Sequence, residues 1–251
     1  IEDHYRFKFA QTYSNKINKL NKGFFDIEVD GKYSNYDFVR MGECPINCVS
    51  FYDDKTDTSY TYILRNKDNP LVEKFEKEVI SGEVNQEYIS RFVTGAVGGP
   101  KYAHKFRLED TQFKLFFFDF EIDLIRELFS NMHRCSPDFI LGWNSSAFDL
   151  TYIIERIKVL GYDPGDIMCD QGWPIKIVKN YVDTKNQNEL AERGDYTFIS
   201  GLPVFIDQMI QYASRRKSKI GSFQSFKLDD IGEREAGVKK LDYHHITSSV
   251  V

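Results

Sequence analysis

No stretch of the 251 residues is long and apolar enough to span a bilayer, and no signal-peptide pattern opens the chain, so a membrane is not an expected partner. Cysteine is scarce. Cys44, Cys48, Cys135 and Cys169 show no paired metal-ligand spacing, which argues against zinc and against a redox pair. Cys44 and Cys48 are expected as buried thiols, and the compartment as a reducing cytoplasm. There is no Gly-x-Ser-x-Gly, and neither a Lys-Ser/Thr pair nor a helix pattern follows Gly95-Ala96-Val97-Gly98-Gly99-Pro100. An activated serine and a phosphate-binding loop are therefore not expected. Repeats and low-complexity tracts are missing too. Positive charge is in deficit, with a net charge of −5. That balance argues against gripping long duplex DNA by charge, but not against taking a few nucleotides of single strand.

What is present is acid in two short motifs. Phe24-Phe25-Asp26-Ile27-Glu28-Val29 alternates as a strand does, so Asp26 and Glu28 share one face while Phe25, Ile27 and Val29 bury the other. Asn144-Ser145-Ser146-Ala147-Phe148-Asp149 precedes Leu150, Ile153, Ile154 and Ile157, which places Asp149 in the first turn of a helix. Three carboxylates gathered by a strand and a helix start can hold two divalent cations, the arrangement that clamps a phosphodiester under hydrolysis. A second Asp-x-Glu, in Phe118-Asp119-Phe120-Glu121, is followed at helical spacing by Ile122, Ile125, Leu128 and Phe129. It reads as structural: Asp119 as an N-cap, with Glu121 and Asp123 complementing the helix dipole. The first copy has no helix behind it, because Asp30-Gly31 signals a turn.

Taken together and in this order, the two motifs resemble those of the 3′–5′ proofreading exonuclease domain of family B DNA polymerases, particularly the T-even phage type. The likeness extends to Cys44 through Asp53, to Ser136 through Asn144, and to Ser225 through Ile231 with Lys240-Leu241-Asp242-Tyr243, spanning roughly residues 22 to 243. It implies an RNase H-like α/β fold with a mixed central sheet flanked by helices. It implies Mg²⁺ or Mn²⁺ in a two-metal site, with Asp26 bridging, Glu28 on one ion and Asp149 on the other. The implied substrate is a single-stranded 3′ end of primer-template DNA. Implied partners are the polymerase domains of a parent chain, and a sliding clamp is a further one that such a parent could use. The cytoplasm would be prokaryotic or that of a phage-infected host.

One departure bears on activity. The family's third motif, Tyr-x-x-x-Asp, should follow Tyr243, yet the sequence runs only to Val251; a match at Tyr33 to Asp37 sits just past the first motif. The expectation is therefore a leading segment (1–21) and an exonuclease domain (22–251) that stops before that motif, weakly active or inactive alone. Two other readings stay open: a free-standing DEDD exonuclease on DNA or RNA ends, and an inert exonuclease-fold scaffold. Individual residues also carry alternatives. Asn144 either hydrogen-bonds near the substrate or fixes the helix start; Phe148 meets the terminal nucleotide or the core. Tyr33 and Tyr36 are candidates for a wedge between the last two bases, or plain exposed tyrosines. Arg215 through Lys219 and Lys239-Lys240 form a phosphate strip or solvated ends. His4, His104, His133, His244 and His245 fall outside both motifs.

At 29.4 kDa, folding should bury about 70–75% of the extended chain's surface, enough for one core. The pattern predicts strands at 23–29, 46–53, 59–64, 113–118 and 138–142. Helices are predicted at 71–80, 120–133, 148–160, 205–215 and 226–234, with a hairpin at 173–179 and 195–200. Gly161 is a C-cap signal.

Overall fold

The computed structural model describes residues 20–34, 40–96, 110–185, 189–216 and 225–237, with the backbone alone at 92–96. Tyr36, the segment 1–19, residues 217–219 and 239–240, His4, His104, His244 and His245 lie outside them.

The structure begins with β1 (Lys22–Val29), whose alternation survives intact: Phe25 and Ile27 are buried while Asp26 and Glu28 face out. A hairpin follows, β2 (Ile46–Asp53) and β3 (Thr58–Leu64), closed by the acidic turn at 54–57. Helices α1 (Pro70–Ser81) and α2 (Gln86–Ala96) come next; only the first is legible in the sequence. Asn69 caps α1 by accepting from the Leu71 amide, and Pro70 starts it with a φ already helical. Then come β4 (Gln112–Phe118), α3 (Glu121–Cys135), β5 (Phe139–Gly142), α4 (Asp149–Val159) and the short α5 (Pro164–Met168). A two-stranded hairpin, β6 (Val178–Tyr181) with β7 (Tyr196–Ile199), precedes β8 (Val204–Asp207), α6 (Gln208–Arg216) and α7 (Leu228–Ala236).

Six strands form one mixed sheet in the order β4-β3-β2-β1-β5-β8, with β2 alone running against the other five. Helix α3 buries Leu124, Ile125, Leu128, Phe129 and Met132, and α4 buries Leu150, Tyr152, Ile153 and Ile157, in one continuous core with the strand residues. Each such aliphatic side chain contributes about 1.5–3 kcal/mol on leaving water. That is why the sheet's order is fixed by its helices as much as by its ladders.

Three sequence expectations need correction. Residues 205–207 are strand, not helix. Val204-Phe205-Ile206 is a short apolar run, ambiguous between the two periods, and the parallel edge of β5 decides it. The hairpin's first strand is Val178–Tyr181 rather than 173–179, because its register is set by β7. Asp119 is not the cap of α3; Phe120 holds that position without a side-chain bond, and Asp119 pairs with Arg65 at 3.1 Å. The second Asp-x-Glu is nonetheless structural, as expected. Buried Glu121 accepts from the Ile46 amide at 2.7 Å and takes the Arg156 guanidinium in a two-pronged pair at 2.7–3.0 Å. Arg156 also donates to the carbonyls of Gly42 and Glu43. After α4, Gly161 takes the left-handed conformation at φ +86°.

Candidate nuclease site

The register of β1 and β5 explains where the site falls. The two strands run parallel, Lys22 opposite Phe139 and Phe24 opposite Leu141, and the pairing stops there. The chain leaving β5 therefore emerges beside the half of β1 that carries Asp26 and Glu28. The exposed strand edge still needs partners for its amides. Asp149 supplies one: its Oδ1 accepts from the Ile27 N–H at 3.2 Å. The carboxylate of the second motif is thus seated on the backbone of the first.

Burial makes this an unusual acid. Asp149 is only 3% exposed. Loss of water, followed by the charge of Asp26, pushes its carboxyl up to about 7, against the pull of the Ile27 amide. Asp26 and Asp149 are therefore close neighbours sharing an excess of negative charge. Glu28 shares the face of Asp26, displaced along the strand by roughly 6.6 Å of rise. Among the described residues no group of three acids, cysteines or histidines is gathered closely enough to hold a metal ion. The structure brings Asp26 and Asp149 together and leaves Glu28 beside them on the strand. The donors nevertheless suit a divalent cation: they are hard oxygens, and a cation would relieve the repulsion between buried Asp149 and its exposed neighbour Asp26.

The loop between β5 and α4 is tightly wound. Gly142 ends the strand with Ser145 so close that an added Cβ would lie 2.5 Å from Ser145 Cβ, so the position excludes a side chain. Asn144 stands at φ +58°, and its carbonyl accepts from the Phe148 amide at 2.9 Å, so its backbone fixes the helix start. Phe148 is not in the core. It is 36% exposed, with its ring 5.7 Å from that of Tyr152. Trp143 donates its indole N–H to the Phe226 carbonyl at 3.0 Å, which ties the segment before α7 to this loop.

The wedge candidate Tyr33 lies in a turn of 3₁₀ helix after β1, 40% exposed, with its hydroxyl donating to Asp68 at 3.1 Å. Tyr36 lies outside the described residues. Of the basic cluster, Arg216 pairs with Glu235 at 2.7 Å and lies over the Tyr212 ring, which is a structural use. His133 bonds the Met168 carbonyl at 2.9 Å, away from the acids.

Two residues near the site were not linked to it from the sequence. Cys48 faces Glu28 across the β1–β2 ladder; burial, then the charges of Glu28 and Asp26, push its thiol up to about 12. It is a neutral neighbour at physiological pH. Asp207, at the end of β8, accepts from the amides of Asn144 at 3.1 Å and Ser146 at 3.2 Å. Burial pushes its carboxyl up while these amides, with those of Met209 and Ile210, pull it down. Its only sequence signal was the end of an apolar run, masked by the helix reading of 205–215.

A mixed sheet flanked by helices, with acids from its first strand and from the helix after a neighbouring strand, defines an RNase H-like nuclease fold. Residues 4–231 match the family model described as DNA polymerase family B, exonuclease domain, and the chain belongs to that 3′–5′ exonuclease family. Such exonucleases generally use divalent metals. The chain is 24% identical over 225 residues to the DNA-directed DNA polymerase of Enterobacteria phage T4, covering 87% of this chain and 21% of that protein. It is 23% identical over 243 residues to the DNA-directed DNA polymerase of Escherichia phage RB69, covering 93% of this chain and 24% of that protein. It thus spans less than a quarter of the curated relatives it matches.

Proposed function

We propose that the chain is the proofreading unit of a DNA polymerase and removes nucleotides from single-stranded 3′ ends of DNA. The observation that carries this reading is Asp149 seated on the backbone of β1 beside Asp26. Asp26, Glu28 and Asp149 would hold Mg²⁺ or Mn²⁺. Bound there, a pair of divalent cations would lower the pKa of a water and would neutralise charge on the phosphoryl group.

The chain's own residues do the rest. Asp149 has to release its proton to become a ligand, and its raised pKa ties that release to pH near 7. Glu28, on the same strand face as Asp26, would supply the third carboxylate. Phe148 offers an exposed ring for stacking of the terminal base, and the wound Asn144 turn aims it. Tyr33 remains a candidate for the penultimate base, which would require it to release Asp68. A mispaired end frays more readily and reaches such a site more often, so editing needs no reading of the base. In this reading the polymerase domains belong to the parent protein, a sliding clamp is a separate partner that the parent could use, and the compartment is a prokaryotic cytoplasm or that of a phage-infected host.

The competing reading is an inert scaffold, and the ungathered Glu28 favours it. Digestion of 3′-labelled and 5′-labelled oligonucleotides with Mg²⁺ or Mn²⁺ decides between them, comparing this chain, its longer parent and Asp26→Ala in each. The expected result is a ladder shortening from the 3′ end in the parent, abolished by Asp26→Ala. No cleavage by the parent under either metal would leave the scaffold.

A further inference from the structure

The loop that delivers Asp149 is held from outside both acidic motifs. Asp207 stands opposite Gly142 in the β5–β8 register, level with the point where the loop leaves the sheet. Its Oδ1 accepts from the Asn144 and Met209 amides at 3.1 and 3.0 Å, and its Oδ2 accepts from the Ser146 amide at 3.2 Å. A carboxylate serving only to start α6 would need the amides of Met209 and Ile210 alone. Here its second oxygen is committed to a loop that belongs to another strand. The side chain is buried at 6% exposure, so water offers those amides no alternative.

The same loop is gripped from the opposite side. Asn180, on β6, donates to the Ser146 carbonyl at 3.1 Å and to Thr151 Oγ1 at 2.8 Å, and accepts from Thr197 Oγ1 on β7. Ser146 is therefore bonded at its amide by Asp207 and at its carbonyl by Asn180. Asn144 stands at φ +58°, in the left-handed region that asparagine enters more readily than other non-glycine residues.

We propose that Asp207 is a positioning residue of the nuclease site: it fixes the Asn144–Phe148 turn and thereby sets Asp149 against Asp26. The role rests on the exonuclease reading given above. It does not touch metal or DNA; it acts through the loop. Misplacing a reacting group by about 1 Å costs on the order of 100-fold in rate, so small slack in this turn is enough to matter.

Hydrogen exchange on the full chain tests the idea without needing activity. In the unaltered protein the Asn144 and Ser146 amides should be protected at least tenfold beyond an open loop. In Asp207→Asn, which keeps size but loses an acceptor, exchange across residues 142–150 should quicken at least tenfold while α3 is unchanged. Exonuclease kcat of the parent polypeptide should fall at least tenfold with KM within about twofold. Unprotected amides in the unaltered protein, or exchange that quickens equally in α3 and the loop, would overturn the proposal. An inactive parent with a selectively loosened loop would support the positioning role while defeating the exonuclease reading. Failure of the two is thus distinguishable.

Discussion

Asp149 sits where ionisation is opposed twice, by burial and by the charge of Asp26, and its carboxyl is held near 7 instead of the ordinary value near 4. Between those two values the folded chain keeps a proton that the unfolded chain gives up. Stability supplied by this group is therefore full at low pH and is lost as pH rises through 7. Melting of the metal-free chain should fall by on the order of 5 °C between pH 5 and pH 8, and Asp149→Asn should lose most of that slope. An unchanged slope in the variant would assign the effect to another group. Mn²⁺ affinity should run the other way, rising about tenfold per pH unit up to 7, because the ligand must first be deprotonated. Gly142 is the second sensitive residue. In Gly142→Ala the new methyl meets Ser145 at 2.5 Å, and urea unfolding should show a loss of about 1–3 kcal/mol.

At the scale of elements, α4 is bound to the rest of the fold at both its ends. Asp149 ties its start to β1, and Arg156 ties its last turns to Glu121 at the head of α3. Arg156→Ala would leave a buried carboxylate unpaired, and should cost about 3–5 kcal/mol in denaturant unfolding. Glu121→Gln combined with Arg156→Met should recover a large part of it. The two Asp-x-Glu copies show what a sequence can and cannot disclose. Helical spacing behind Glu121, and a turn behind Glu28, distinguished the two copies, and Glu121 has the structural use expected of the second. Strand alternation around Asp26 and the apolar spacing after Asp149 placed both acids. The β8 strand was hidden because Val204-Phe205-Ile206 is too short to show a period, and Asp207 was hidden with it. Asp119 looked like a cap by residue type alone, yet Arg65, distant in sequence, claims it. Such choices are made by partners that no local window contains.

Over the whole molecule, the net charge of −5 bears on how a DNA strand would be held on the proposed reading. A site that engages about three phosphates of single strand should give a log–log salt slope of about −2 for oligonucleotide binding, measured by fluorescence anisotropy. A slope steeper than about −5 would point to an extended basic track that the described surface does not explain. On the proposed reading, the acids of β1 and α4 form one divalent-cation site. Paramagnetic Mn²⁺ added to the isotope-labelled chain at pH 8 tests it most directly. Saturable broadening centred on the amides of Ile27, Glu28, Asp149 and Leu150, lost in Asp26→Ala, is the expected result. Broadening centred elsewhere, or unaffected by Asp26→Ala, would contradict it.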